Sequence, residues 1–355
     1  MVVRVNVEYD YINARIKGMK SRLLDPSVFE SLLLKPDVDS IIAELENTPY
    51  KEEIERATVQ YSGIKCIEVA LRNDFTKAFR KIFGFMKGGE SETYITILLS
   101  RWDIQNIKTI LRGKNIHIPS SEIIECLVPA GQLDDTTLVE LIKQPDVKAV
   151  IDLLATWGIE YSKPLTRNFK EYSEKRDISI LEYAIDKFYY ENAINKLSED
   201  SYDDRLILDM ISTEIDVTNI KNVLKMIRDK IEIEQAETFL IKGGITLDIE
   251  KLLSMLRSGT LEGAMKFLDV TPYKFLSELH EDAFKREKIS DFEKELERYL
   301  IKRGISRFLG DPLSIAVAVG YVWAKYNEIT NIRIIARCKT ADITEKEIRE
   351  ELIYV

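Results

Sequence analysis

Three stretches of the sequence share one pattern and decide the fold: DIQNIK at 103–108, DVTNIK at 216–221 and EITNIR at 328–333. Each reads acid, β-branched residue, any residue, Asn, Ile, base. The pattern recurs after 113 and then 112 residues, as its asparagines show: Asn106, Asn219 and Asn331. Such a regular period is typical of a chain built from repeated structural units. A weaker copy of the second half of the pattern, NARIK, begins at Asn13.

Other landmarks keep the same period. The triplets TPY, IEY and TPY each end in a tyrosine, at Tyr50, Tyr161 and Tyr273. A stretch that follows each triplet carries an early glutamate, at Glu68, Glu182 and Glu293. Because these landmarks agree on a period of about 112 residues, coincidence is a poor explanation.

The repeated unit is predicted to be helical. Residues 67–82 place apolar side chains at steps of three and four, which is one face of an α-helix. The 355 residues include only 15 Gly and 9 Pro, too few for the frequent turns of a β-sandwich or barrel. We therefore expect an all-α protein of three helical modules, which can form an open row or close around a pseudo-threefold axis: residues 1–118, 119–231 and 232–355.

Charge and composition exclude several classes of protein. The formal net charge is −9, whereas a general nucleic-acid binder usually shows a basic excess. The sequence predicts no signal peptide, since the stretch MVVRVNVEYDYINAR at 1–15 has no apolar segment after a basic start. It also predicts no transmembrane segment, since its longest uncharged apolar stretch, PLSIAVAVGYVWA at 312–324, is too short to span a bilayer. We expect residues 313–324 to form a buried helix; a patch docked on a membrane partner is the alternative.

No constellation of residues predicts catalysis. The two histidines, His117 and His280, lie in unlike contexts without metal-ligand spacing, and no P-loop or GxGxxG is present. The cysteines are far apart, which indicates neither a disulfide framework nor a zinc site. Cys66 and Cys126 are expected to be core thiols, and Asp134/Asp135 and Asp203/Asp204 to be turn or N-cap residues. We expect no catalytic residue, metal or cofactor.

The asparagine pattern supports two interpretations. Asn is a mediocre helix residue, so its recurrence favours a repeated buried interhelical hydrogen bond in each module. The bases that follow could instead form a ring of positive charge that seats an acidic partner, or an ordinary solvated face with internal ion pairs. Those bases lie two and six residues after the asparagines: Arg15, Lys108, Arg112, Lys221, Lys225, Arg333 and Arg337.

The chain resembles the C subunit of the archaeal and bacterial A/V-type rotary ATPases, equivalent to the d subunit of the vacuolar enzymes. The resemblance covers essentially the whole chain. It departs from the family at Ala130, where other members commonly have Gly, and in IEY at 159–161. The matching stretches are YINARIKGMKSRLL at 11–24, WDIQNIKTILRGK at 102–114, LVPAGQLDDTTL at 127–138, LEYAIDKFYYENAI at 181–194, IDVTNIKNVL at 215–224 and YNEITNIRIIARCKTADITEKEIREEL at 326–352.

The resemblance implies an all-α funnel of three similar domains about a pseudo-threefold axis. It also implies a non-catalytic central-stalk subunit that couples the rotating shaft to the membrane proteolipid ring, for proton or sodium transport and ATP synthesis or hydrolysis. Its partners would be the ring and the shaft subunits, with no nucleic acid and no small-molecule substrate, and it would lie peripherally on the cytoplasmic face of the membrane. The alternative is a soluble helical adaptor scaffold without a membrane partner; an enzyme with a site between modules is less favoured.

Overall fold

The computed structural model describes residues 7–198, 200–279, 284 and 289–354. Within these ranges the regular structure is helical and contains no β-strand, which confirms the predicted all-α class. Short 3₁₀ turns lie at Ile124–Cys126, Glu237–Phe239, Lys274–Leu276 and Arg307–Leu309. The α-helices are α1 Val7–Lys20, α2 Pro26–Leu33, α3 Val38–Leu45, α4 Lys51–Thr58, α5 Gly63–Met86, α6 Glu92–Asn115, α7 Ser120–Ile123, α8 Asp135–Ile142, α9 Val147–Thr156, α10 Ser162–Lys175, α11 Ser179–Asn195, α12 Tyr202–Asp229, α13 Ile233–Ala236, α14 Ile249–Arg257, α15 Leu261–Met265, α16 Ile289–Ser306, α17 Ala316–Thr340 and α18 Glu345–Glu351.

Many of the helices begin where a side chain caps them. In each cap, a side-chain oxygen accepts a hydrogen bond from a backbone N–H two or three residues later. That N–H lies in the first helical turn and has no partner within the helix. Asp134 caps α8, as the sequence predicted, and Asp204 completes a capping box with Ser201 at the start of α12. The side chains that cap other helices in the same way are those of Asp25, Asp37, Asp146, Asp248, Thr260 and Thr344.

The three asparagine helices, α6, α12 and α17, also end alike. In each, a backbone N–H just past the helix reaches back to a carbonyl five residues earlier, across a residue with positive φ. The donors are Ile118, Ile231 and Ile343, and the bonds are 2.8, 3.0 and 3.0 Å long. The left-handed residues are not glycines but His117, Lys230 and Asp342, with φ of 59°, 54° and 53°. No glycine therefore marks this repeated helix end in the sequence.

Packing divides the chain into two compact units. The first comprises Met1–Ile178 and Gly304–Val355. In it, α5 packs against α4, α6 and α17. Aromatic rings fill the centre of this packing: the Phe79 and Trp102 rings are 5.0 Å apart, and Trp102 contacts Tyr326 from α17 at 6.3 Å. The first and last parts of the sequence therefore share one core.

The second unit, Ser179–Arg303, is centred on α12. This helix packs against α11, α14 and α15. Buried aliphatic residues line α12, and the Tyr273 and Tyr299 rings meet at 5.4 Å. The predicted module boundaries, after residues 118 and 231, stay a prediction.

Most of the apolar segment 313–324 is buried, as the favoured interpretation predicted, although Leu313 is exposed. From Ser314 to Trp323 its residues are buried, and most of them form the first part of α17. Of the helices that the structure describes, none has the length and apolar character needed to cross a bilayer.

Candidate functional site

The repeated asparagines form identical clamps on the backbone. In the first, the Asn106 amide donates to the Val128 carbonyl at 2.7 Å and accepts from the Val128 N–H at 2.8 Å. Asn219 makes the same pair of bonds with Ile241, and Asn331 makes it with Ile353. The partner is 22 residues further along each time. The sequence favours an interhelical bond here; the structure places backbone outside the helix in that role.

The acid that opens each motif forms a second clamp one turn earlier on the same helix. Asp103 accepts the backbone N–H groups of Gln132 and Leu133, both at 2.9 Å. Asp216 accepts those of Thr246 and Leu247 at 2.9 and 3.2 Å. Each of these two helices thus holds a following connecting segment at two points, through four hydrogen bonds to otherwise unpaired backbone groups.

Glycines lie against both acids. A Cβ atom at Gly131 would come within 2.2 Å of an Asp103 carboxylate oxygen, and one at Gly244 within 2.1 Å of an Asp216 oxygen. The carboxylates need a close approach of the backbone that only glycine allows without displacement. Gly131 belongs to LVPAGQL, so one function of that stretch is to fit over the Asp103 side chain.

The third copy joins opposite ends of the sequence. Glu328 replaces the aspartate and accepts the backbone N–H of Leu24, while Asn331 on the same helix holds Ile353. Asn13, the weaker copy of the motif, makes a different contact: its amide donates to the Pro312 and Ser314 carbonyls at 2.7 and 2.9 Å. The clamped segment of this copy therefore comes from two separate parts of the chain.

The third copy also contains a buried cation. Lys325 Nζ lies 2.6 Å from an Asp74 oxygen, 2.8 Å from a Glu328 oxygen and 2.9 Å from the Tyr50 hydroxyl. The Tyr50 hydroxyl itself donates to Glu328 at 2.6 Å. At the position of Lys325, six residues before the asparagine, the other two copies carry the neutral hydroxyls of Ser100 and Thr213.

Burial sets the pKa values of these groups. It raises the pKa of Asp103 to about 7, against the opposing effect of its two backbone hydrogen bonds, and it raises the pKa of Asp216 as well. Burial alone would lower the pKa of Lys325, but the Glu328 and Asp74 carboxylates outweigh it and raise that pKa. The third clamp is therefore charged and internally neutralised, whereas the first two hold a buried carboxyl without a cation.

The tyrosine landmarks belong to the same clusters. Tyr273 donates to Asp216 at 3.0 Å, as Tyr50 does to Glu328. For Tyr161 the link to Asp103 is electrostatic: burial first, and then the Asp103 charge, raises the Tyr161 pKa. The spacing of the tyrosines signalled the repeat in the sequence, but nothing in it identified the acid that each tyrosine meets.

Several of the predicted contact bases form ion pairs between long helices. Arg333 and Arg337 on α17 both reach Glu68 on α5, at 2.7 and 2.6 Å. In the second unit, Lys225 and Lys221 on α12 reach Glu293 and Glu297 on α16, at 2.7 and 3.8 Å. These bases therefore also hold helices together, and two of the early glutamates are their partners.

The other three predicted bases lie on α1 and α6. The Arg15 guanidinium lies 5.3 Å from the Phe85 ring centre and 5.9 Å from that of Tyr11. Lys108 is half-buried on α6, and Arg112 is exposed one turn later. The contact role of all seven bases stays a prediction.

The cysteine prediction was half wrong. Cys66 is buried on α5, as expected, but Cys126 is exposed. It ends the short 3₁₀ turn that follows α7, where the chain leaves the helical core. Of the two histidines, His117 is exposed at the end of α6, and His280 lies outside the described residues.

These features define a helical repeat protein whose buried polar groups serve structure rather than chemistry. Over the described residues, no group of His, Cys, Asp and Glu side chains could hold a metal ion. Its clamps, capped helices and interhelical ion pairs all fix the positions of helices.

Comparisons with known proteins identify its family. The profile of the family described as ATP synthase (C/AC39) subunit matches residues 12–351. The chain is 31% identical over 349 residues to the A-type ATP synthase C subunit of Methanococcoides burtonii, covering 97% of this chain and 94% of the relative. The C subunit of Archaeoglobus fulgidus is 29% identical, with 97% and 96% covered, and that of Methanocaldococcus jannaschii 26%, with 97% and 86%.

The chain belongs to this family of ATP synthase subunits. The match confirms the resemblance seen in the sequence, and it agrees with the prediction of a structural, non-catalytic subunit.

Proposed function

We propose that this chain is the central-stalk subunit that couples the rotating shaft of an A/V-type ATPase to its membrane proteolipid ring, during proton or sodium transport and ATP synthesis or hydrolysis. The observation that carries the proposal is the family match over residues 12–351. It spans all three copies of the asparagine motif, so the whole repeat belongs to the family. The chain would lie on the cytoplasmic face of the membrane and attach through the ring.

The buried clamps support a mechanical role. A coupler must transmit torque without bending, and a helix resists displacement when buried hydrogen bonds fix it to its surroundings. The backbone clamps of the asparagine helices supply that resistance, because each displaced clamp would leave buried N–H and C=O groups unpaired. We propose that three modules, 1–118, 119–231 and 232–355, surround a pseudo-threefold axis, with similar surfaces toward a ring of identical subunits.

Loss of the chain tests this function. In membranes that contain the rotary ATPase without this chain, ATP hydrolysis by the head should continue while ATP-driven ion pumping stops. Adding the purified chain back should restore pumping. Undiminished pumping without the chain would overturn the proposal. Recovery of the tagged chain from the soluble fraction alone, free of proteolipid, would favour the adaptor scaffold.

We propose further that the repeated bases help to seat an acidic partner surface, in addition to pairing with the glutamates. A charge swap separates the two roles. Lys225→Glu alone breaks the internal pair with Glu293, whereas Lys225→Glu combined with Glu293→Lys restores a pair of opposite charges. If the double variant folds normally but assembles poorly at low salt, the positive surface matters for docking. Full assembly of the double variant would refute the docking role.

A further inference from the structure

We propose that a cavity of about 400 Å³ in the first unit binds a small molecule that carries an oxyanion, either a phosphate or a carboxylate. Its walls come from the end of α1 and the turn after it, α4 with the residues just before it, the middle of α5 and the first half of α17. This volume falls in the range of small-molecule sites. The proposal does not depend on the coupling role.

An unpartnered hydroxyl in the cavity wall points to a ligand. Tyr321 is only 3% exposed. Among the residues that the structure describes, its hydroxyl has no hydrogen-bond partner, although it lines the cavity. A hydroxyl that lines a cavity and has no partner in the wall can donate to a molecule bound there. Burial raises the pKa of Tyr321, so the group stays protonated and can donate to an anion.

The charges around the cavity favour an anion. Lys325 lines it but is neutralised by Asp74, and Lys77 is matched by Glu52 and Glu53 at 2.9 and 3.3 Å. Arg22 and Lys81 are exposed, and neither forms an ion pair within the described part of the chain. Four bases and three acids line the cavity, so its lining has a surplus of one base on a protein whose net charge is −9. An oxyanion between Arg22 and Lys81 would also be within the electrostatic reach of Tyr321, on which Arg22 already acts.

The rest of the wall is apolar. Met19 and Leu23 face it from the first segment of the chain, and Pro49 and Ala78 line it as well. A bare inorganic ion would leave this surface uncovered, so the fit favours an anion attached to a small organic body. Leu24, next to the cavity, is the residue whose backbone Glu328 holds. A bound ligand would therefore tie the first segment more firmly to α5 and α17.

Titration calorimetry of the full chain tests the proposal with three probes: inorganic phosphate, pyrophosphate and citrate. At least one should bind saturably, and the strongest probe identifies the oxyanion as phosphate or carboxylate. Arg22→Gln and Lys81→Gln should each weaken binding about tenfold, more at low salt. Tyr321→Phe, which keeps the packing, should weaken it about fivefold by removing one hydrogen bond.

Lys266→Gln provides the matched control, since Lys266 is an exposed lysine in the second unit. Its binding should equal that of the natural chain. The proposal is overturned if none of the probes binds saturably, if Tyr321→Phe binds as well as the natural chain, or if Lys266→Gln loses as much affinity as Lys81→Gln.

Discussion

Removal of the Asn219 side chain should destabilise the second unit more than any ordinary loss of one hydrogen bond. Asn219 is fully buried, and its amide donates to the Ile241 carbonyl at 2.7 Å and accepts from the Ile241 N–H at 2.9 Å. Asn219→Ala leaves both backbone groups buried and unpaired. At about 1–3 kcal/mol for each of the two groups, the free energy of unfolding should fall by roughly 2–6 kcal/mol.

A neighbouring asparagine provides the control. Asn222 lies on the same helix and is nearly buried, but it makes one longer bond, to the Phe239 carbonyl at 3.3 Å. Asn222→Ala should cost about 1 kcal/mol. Urea unfolding followed by circular dichroism gives both values, and hydrogen exchange should show the Ile241 amide losing protection only in Asn219→Ala.

A second substitution tests the geometry of the clamp. Asn219→Asp can still accept the Ile241 N–H, but it places a carboxylate oxygen against the Ile241 carbonyl. Stability should therefore recover as the pH falls, because the protonated acid can donate to that carbonyl. The clamp model is refuted if Asn219→Ala costs less than about 1 kcal/mol, or no more than Asn222→Ala.

Three further substitutions probe other parts of the structure. Burial raises the Asp103 pKa to about 7, so the folded chain binds a proton on this carboxyl more tightly than the unfolded chain does. The free energy of unfolding should therefore fall by roughly 4 kcal/mol as the pH rises from about 4 to 7. Asp103→Asn should abolish this pH dependence in urea titrations. Lys325→Met leaves Glu328 and Asp74 without their cation and should cost about 3–5 kcal/mol, against less than about 1 kcal/mol for Lys77→Met at a half-exposed pair. Lys230→Gly relieves a left-handed residue at the end of α12 and should raise stability by about 1 kcal/mol, measured by the same unfolding assay; a loss would refute strain at that position.

The Asn219 and Lys325 predictions test different energetic designs of one motif. In the first two copies the acid is held by backbone donors without a cation, near Ser100 or Thr213. In the third copy it is Glu328, longer by one methylene, with Lys325 beside it. This change of acid and the added lysine occur in the copy whose clamped backbone comes from two distant parts of the chain, at Leu24 and at Ile353. A cation there compensates a buried carboxylate that holds one backbone donor instead of two.

The sequence by itself determined the period, the helical class and the family. The period and the class follow from local signals: apolar steps of three and four, few helix breakers, and an asparagine pattern that returns after about 112 residues. The family follows from the resemblance of the matching stretches. The same local signals placed the N-cap Asp134 and the buried helix at 313–324 correctly. Such features depend on neighbours within a few turns, so they can be read without knowing the path of the chain.

Only the tertiary structure decided which groups meet. Glu68 pairs with Arg333, and Tyr50 with Glu328, across more than 250 positions of sequence. The repeat in the sequence pointed to these residues but not to their partners. The partner of each depends on which helices pack together and on where a glycine or a backbone N–H comes close. Cys126 was misjudged for the same reason, because its exposure depends on where the chain leaves the core rather than on its apolar neighbours. Burial then raised the Asp103 pKa, an effect of surroundings that the carboxyl acquires only in the folded chain.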